Sequence, residues 1–242
     1  MSSKQIPESI ENRWDILYRD YPEIYDRFGR VPKTPTVVEA LHQHFPLTGK
    51  TVADVGAGSG LSTLDLARFA AQVIGIEPEA AMRELALQAA QEQNLPNVTF
   101  VEGSAEAMPL PDASVDAVVG VTLASLYNKD NILAFDREAV RVVRPGGQIL
   151  LVDIASGWYG GELAPVIRDK PDEDPYEILH DQTLRACGYE HVDFFTDQDY
   201  GTLDNIIQTY GFIFGHKAIQ YLREHQKATI RWKFCIHFKT VA

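Results

Sequence analysis

The stretch "TVADVGAGSGLS", Thr51 to Ser62, decides how the chain is read. A β-type run carries an acid, Asp54, near its end, and glycines follow at positions 56, 58 and 60. Leu61 then starts a helical pattern, so the segment reads as strand, tight loop and helix. Such a junction gathers backbone N–H groups at a helix start, ready for a carboxylate or phosphate, and glycines let a ligand approach without meeting a Cβ. A sharp turn that binds nothing would use the same residues.

Outward from this segment, β-branched runs alternate with helical patterns, the sign of βαβ units in a parallel sheet. A helix is expected from about Leu61 to Ala71, and "AQVIGIEP" is a second strand closed by Pro78. The next helix places Met82, Leu85, Ala86 and Ala89 on one apolar face, and "NLPN" breaks it. "VTFVEG", "SVDAVVGVTL" and "GQILLVDI" are the third to fifth strands, and "RPGG" stops the helix running from about Asn131 to Val143. The fourth and fifth strands are nearly unbroken apolar runs, as expected where helices cover both faces.

Beyond Ile154 the style changes. A Gly-, Pro- and acid-rich connection leads to a helix from about Tyr176 to Cys187 and a sixth strand, "YEHVDFF". The C-terminal "TIRWKFCIHFK" alternates strictly, with Ile230, Trp232, Phe234, Ile236 and Phe238 on one face, and reads as a half-exposed strand at or near a sheet edge. The expected organisation is an N-terminal helical cap over 1–45 and a core over 46–242, with a helical insertion at about 199–226. "YGFIFGHKAIQYL" in that insertion suits a cover or a dimer surface.

The 242 residues suffice for a full hydrophobic core. A net charge of -12 without any basic stripe argues against a nucleic-acid substrate. Cys187 and Cys235 form no CxxC spacing, the start carries no signal-peptide pattern, and the longest apolar stretch falls short of the roughly 20 residues a membrane helix needs. A cytoplasmic protein with no membrane partner is expected. His180, His191, His216 and His237 have no metal-ligand spacing, so no metal is expected and each reads as a surface or core histidine.

Two features narrow the ligand of the glycine loop. The dinucleotide fingerprint G-x-G-x-x-G/A would put a small residue where Leu61 stands, and a carboxylate at Asp54 would repel a pyrophosphate but favour a cationic amino group. An NAD-dependent oxidoreductase is therefore the disfavoured alternative. Glu77, about 20 residues on, is placed to accept hydrogen bonds from both ribose hydroxyls. A nucleoside with a cationic tail is implied.

Asp54-Val-Gly56-Ala57-Gly58-Ser-Gly60, Glu77, "GSAEAMPLPDASVDAVV" and "RVVRPGG" together resemble the class I S-adenosylmethionine-dependent methyltransferases, in order and spacing from about Thr51 to Asp153. The resemblance implies a Rossmann-like, seven-stranded, mostly parallel α/β sheet whose last strand is antiparallel, and S-adenosyl-L-methionine as cofactor. By position, Gly56, Ala57, Gly58 and Gly60 would line the methionine part with Asp54 near its amino group, Glu77 would hold the ribose, and Ser104, Ala105 and Glu106 would edge the adenine. Pro78 and Met82 would pack on the adenine face, although Met82 suits the buried helix stripe slightly better. Gly120, Val121 and Thr122, ending the fourth strand, would complete the cofactor side. Tyr25 in "YPEIYDRFG" would cover it; the rival reading makes Trp14, Tyr18, Tyr21, Tyr25 and Phe28 a packing stripe, split by Pro22.

The acceptor is expected beyond the ends of strands four and five, roofed by the N-terminal helix. The family's frequent histidine after strand four is absent, with Ser125 or its neighbours in its place, which leaves Asp153 as the candidate catalytic residue, or else as a loop cap. Tyr127, Trp158 and Tyr159 are candidate pocket walls. The motifs of DNA, glutamine and arginine methyltransferases and of cysteine-rich enzymes are missing, so a small-molecule acceptor is expected, its identity and the oligomeric state left open. A non-catalytic S-adenosylmethionine-binding module is the other alternative.

Overall fold

The computed structural model describes residues 7–123, 126, 128–169 and 174–242, with Tyr18 as backbone only. In chain order the elements are α1 (Trp14–Asp20), α2 (Pro22–Arg30), β1 (Lys33–Thr34), α3 (Val37–His44), β2 (Thr51–Val55), α4 (Leu61–Leu66), β3 (Gln72–Ile76), α5 (Ala80–Glu92), β4 (Val98–Val101), β5 (Val115–Val121), α6 (Lys129–Val142) and β6 (Val143–Ile154). There follow α7 (Ala164–Ile167), α8 (Pro175–Ala186), β7 (Glu190–Asp199), α9 (Leu203–Ile206), a π turn (Ile207–Gly211), α10 (Phe212–Phe214), α11 (His216–His225) and β8 (Thr229–Thr240). The strands order as β1-β7-β8-β6-β5-β2-β3-β4. The α/β architecture is the Rossmann-like one expected, with eight strands where seven were implied. The extra strand is the two-residue β1, antiparallel to β7.

The chain divides into two compact units. The first comprises 1–36, 155–174 and 195–233, and the second 37–154, 175–194 and 234–242.

In the second unit, β2 pairs in parallel with β3 and β5, β3 with β4, and β5 with β6, while β8 pairs antiparallel with β6. The central strands are buried on both faces, which their Val and Ala content allows, and Val118, Ile132, Phe135, Ala139 and Ile149 pack in one core cluster. Helix α6 is started by Asn128, whose side-chain oxygen accepts from the Asp130 N–H at 2.8 Å. Helix α4 is shorter than the expected 61–71. Its end is fixed by Asn97, whose amide nitrogen donates to the carbonyls of Ala67 and Ala70 at 2.8 and 3.1 Å, satisfying groups that a longer helix would have turned along its axis.

Two expectations are corrected here. Strand β8 is near an edge and not at it, third in the order, and on its second face Cys235 and His237 are buried while Arg231 is exposed. That face holds polar groups inside at Cys235 and His237 and meets water at Arg231. On α5 the buried residues are Ala86 and Ala90, while Met82 and Leu85 are 42% and 53% exposed. Small residues win that face because Gly60 sits against it, with space for a Cβ ending 3.0 Å from the Ala86 side chain.

The first unit is built from three separated segments. Pro22 splits the aromatic stripe into α1 and α2 as expected. Trp14 and Phe28 meet at 6.0 Å between ring centroids, Phe214 lies 6.2 Å from each of them, and Tyr210 stacks obliquely on Phe214 at 4.4 Å. Polar ends are satisfied within this cluster: the Tyr210 hydroxyl donates to the Gly160 carbonyl at 2.5 Å, and the Trp232 indole N–H donates to Gln198 at 2.8 Å. The backbone N–H groups of Ile10 and Asn12 donate to the carbonyls of Phe212 and Ile213. The segment "YGFIF" contributes to the buried core of this unit, with Tyr210, Phe212, Ile213 and Phe214 all inside.

Candidate functional site

The second unit places Asp54 and Glu77 at the carboxyl ends of adjacent parallel strands, β2 and β3, the position where open α/β sheets receive ligands. Asp54 is fully buried. Its Oδ2 accepts from the Ser62 and Thr63 hydroxyls at 2.8 and 2.5 Å, while Oδ1 has no hydrogen-bond partner among the described residues. Burial pushes this carboxyl up to about 6, against the pull of Thr63 and Ser62. An unpartnered buried carboxylate oxygen is costly unless a donor, best a cationic one, completes it.

Glu77 is also buried. Its Oε2 accepts from the Gly58 N–H at 2.9 Å and its Oε1 from the Glu79 N–H at 3.0 Å, which leaves each oxygen further capacity for a hydroxyl donor. Arg83, which the sequence reading missed, holds this strand end: it donates to the carbonyls of Glu77 and Pro78 at 2.8 and 2.7 Å and to the Glu102 carboxylate at 3.0 Å. No motif flags an arginine one turn into a helix for that duty.

The glycine loop differs from expectation in one respect. Its N–H groups are not free for an anion: those of Gly56 and Ala57 donate to the Ile76 carbonyl, that of Gly58 to Glu77, and that of Gly60 to the Ala57 carbonyl. A phosphate would find few donors there. All three glycines have positive φ, at 68°, 55° and 91°, so each is required by the backbone itself. Only Gly58 opens to space; a Cβ on Gly56 would come 2.3 Å from Leu123, and one on Gly60 would crowd Ala86. Leu123 also lies against Gly120, so one flexible side chain fills the space left by two bare positions, one in the loop after β2 and one on β5.

The remaining candidates are distributed as follows. Ser104, Ala105 and Glu106 form the turn after β4, closed by a bridge between Ser104 and Ala107, with Ala105 buried. Gly120 is buried at the end of β5, and Thr122 is exposed with φ 50°. Pro78 and Met82 are exposed beside Glu77 at the start of α5. Tyr25 lies on α2 of the first unit and is 41% exposed. Ser125 and Tyr127 fall outside the described residues.

Asp153, at the end of β6, is buried and accepts from the Ile154 N–H at 2.7 Å. Burial, opposed by the neighbouring His180, pushes it up to about 6. With Gly120, Leu123, Leu151 and His180 it lines a cavity of about 10 Å³, room for about one water. Trp158 and Tyr159 belong to the first unit. Trp158 packs edge-on against Phe195 at 5.6 Å, and Tyr159 sits among Trp14, Phe214 and the Arg168 guanidinium.

Against known proteins, residues 53–151 match the family model described as a methyltransferase domain. That span contains Asp54, the glycine loop, Glu77 and the end of β5, and stops before Asp153 at the end of β6. Over these residues the core is similar to a methyltransferase domain. An uncharacterized methyltransferase of Bacillus subtilis, YcgJ, is 35% identical over 102 residues, which is 42% of this chain and 40% of that protein. The demethylmenaquinone methyltransferase of Tropheryma whipplei is 36% identical over 107 residues, 44% of this chain and 43% of that enzyme. The matched segment thus spans about two fifths of these relatives. In fold, a S-adenosylmethionine-dependent methyltransferase from Aquifex aeolicus superposes with a TM-score of 0.55 at 20% identity, covering 85% of this chain and 90% of that one. Among the described residues no helix is long and apolar enough to cross a membrane.

Proposed function

We propose that the chain transfers a methyl group from S-adenosylmethionine to a small-molecule acceptor. The observation that carries this is the unpartnered, buried Oδ1 of Asp54 beside the buried Glu77, within the span that matches a methyltransferase domain. The residues fit the cofactor: Asp54 would take its amino group, Glu77 its ribose hydroxyls, Gly58 its approach along the loop, and Ser104, Ala105, Glu106, Pro78 and Met82 its adenine. When bound, S-adenosylmethionine supplies an electrophilic methyl group on a sulfonium.

Asp54 and Glu77 act in binding. A carboxylate that favours the cation steadies the ground state as much as the transition state, so neither is asked to lower the barrier. Rate comes from holding the acceptor in line and excluding water. Asp153 is the proposed acceptor-side carboxylate. Its raised proton affinity places it where it can accept a proton from a nucleophile near neutral pH, a role that a solvated aspartate fills poorly.

The test is calorimetric titration of S-adenosylmethionine, then a search of metabolite mixtures for the mass gain of one methyl group. Asp54→Asn should weaken cofactor binding about 10- to 100-fold, the loss of one charge-assisted bond, with saturated turnover nearly unchanged. Unchanged affinity with collapsed turnover would overturn the role given to Asp54. Tight cofactor binding with no product from any mixture would favour a binding module instead.

A further inference from the structure

A buried base must be able to pass on the proton it takes, or it works once. Asp153, at the end of β6, is such a group, and the fold brings an imidazole to it. His180 on α8 is buried and lines the same cavity of about 10 Å³, so the two groups share a space with room for about one water. They also feel one another: burial pushes Asp153 up to about 6, and the first influence against that push is the charge of His180. His180 has a second carboxylate neighbour. Asp181 Oδ1 lies 3.8 Å from His180 Nδ1 and 3.5 Å from Nε2 of the buried His237, and the Asp181 side chain is 32% exposed. Burial raises the Asp181 carboxyl, but the pull of His180 and the charges of His237 and Arg185 bring it below the ordinary carboxylate range, so it stays ionised.

We propose that His180 is a positioning residue on the acceptor side, which relieves Asp153 of its proton while Asp181 holds the ring. This rests on the methyl-transfer reading, with an acceptor that arrives protonated. As the nucleophile's electron pair bonds to the methyl group and the C–S bond breaks onto sulfur, the proton that the nucleophile sheds goes to the Asp153 carboxylate. The Asp153 carboxyl then gives it to the Nε2 lone pair of His180, directly or across one water. Asp153 is left ionised and ready, and His180 becomes an imidazolium whose Nδ1–H faces the Asp181 carboxylate. Water takes the proton from Nε2 after the product has left.

The division of labour is one that imidazole uses generally in proton transfer: a carboxylate fixes one ring nitrogen, and the other takes the proton. The other charged groups that face the pair are Glu177 and Arg185 on α8, His237 on β8 and, beyond it, His191 on β7. Glu177 works against ionising Asp153. His237 is pushed down to about 4 by burial, so near neutral pH it adds no positive charge that would compete with His180.

The full-length protein with nitrogen-labelled histidine and carbon-labelled aspartate is followed by NMR from about pH 4 to 9, the span in which imidazole and a raised carboxyl titrate. His180→Gln assigns the ring by its loss. The neutral ring should carry its hydrogen on Nδ1, against the Nε2–H form that free histidine prefers, and should titrate in two steps, one of them shared with the Asp153 carboxyl. Asp153→Asn should merge these steps into one. Asp181→Asn, at a partly exposed position, should return the ring to the Nε2–H form and lower its midpoint by at least about half a pH unit. In His180→Gln the Asp153 midpoint should rise, and should that variant misfold, the two aspartate variants still decide. An Nε2–H ring, or a His180 titration unmoved by Asp153→Asn and Asp181→Asn, would overturn the proton role. Calorimetric titration of the same protein with S-adenosylmethionine separates the two failures. Cofactor binding with an unlinked His180 ends the proton role alone, whereas no cofactor binding ends the methyl-transfer reading and the proton role with it.

Discussion

The two units are assembled on different principles. In the second, the segment from β2 to β6 is continuous, and each strand pairs with strands close to it in sequence or joined to it by one crossover. In the first, segments 1–36, 155–174 and 195–233 have no core until all three have met, and what joins them is a set of aromatic rings with satisfied polar tips. Mostly local pairing makes for a core that forms early and announces itself in sequence. A core made of distant segments bears larger loop-closure costs and stands on a few large side chains.

That contrast can be broken most directly at Tyr210. Tyr210→Ala removes a fully buried ring from the centre of the first unit and should cost about 3–5 kcal/mol, read from urea unfolding. Tyr210→Phe keeps the ring and orphans the Gly160 carbonyl, so it should cost about 1–3 kcal/mol. A loss as small for Ala as for Phe would mean the aromatic cluster does not hold the unit together.

In the second unit the sensitive points are backbone, not ring. Gly60 has φ 91° and abuts Ala86, so Gly60→Ala should cost at least about 1 kcal/mol and lower cofactor affinity with it. Alanine at Gly146, which is also at positive φ but has nothing within 4 Å, should show the conformational cost alone. Equal effects at the two positions would separate the loop from the packing of α5.

A pH-dependent effect of Asp54 is expected as well. Its folded value of about 6 lies above the 3.8 of an ordinary aspartate, so the fold disfavours the ionised form. The sign follows from linkage: the penalty is fully present above about pH 6 and disappears as pH falls towards 4. The ligand-free protein should therefore gain up to about 2–3 kcal/mol from this group on acidification, and Asp54→Asn should flatten that part of the stability curve. Affinity for S-adenosylmethionine should move oppositely, falling below about pH 6, because the amino group needs the carboxylate ionised.

Legibility in the sequence followed the same divide. The strand-loop-helix at Thr51, Glu77 and the succession of strands from β2 to β6 were readable because they rest on short-range periodicity and on glycines that the backbone demands. The split at Pro22 was readable for the same reason. Misread were Met82, where helical spacing could not reveal that Gly60 needs alanines opposite, and "TIRWKFCIHFK", whose polar face is buried at Cys235 and His237. Also hidden was the meeting of His180 and Asp181 with Cys235 and His237, which are far apart in the chain and come together only when α8 packs on the sheet. The burial of "YGFIF" was hidden likewise, because whether an aromatic run is core or surface depends on the two other segments that surround it.

The internal wiring of the glycine loop has a consequence for the catalytic cycle. Its amides are bonded to Ile76, Glu77 and Ala57, so the loop is held by the protein itself and a guest bears little ordering cost. Asp54 and Glu77 would grip an amino group and a ribose, and both survive on the demethylated by-product. In the proposed reaction the spent nucleoside should thus hold on nearly as well as the fresh one, which competitive binding of the two would check.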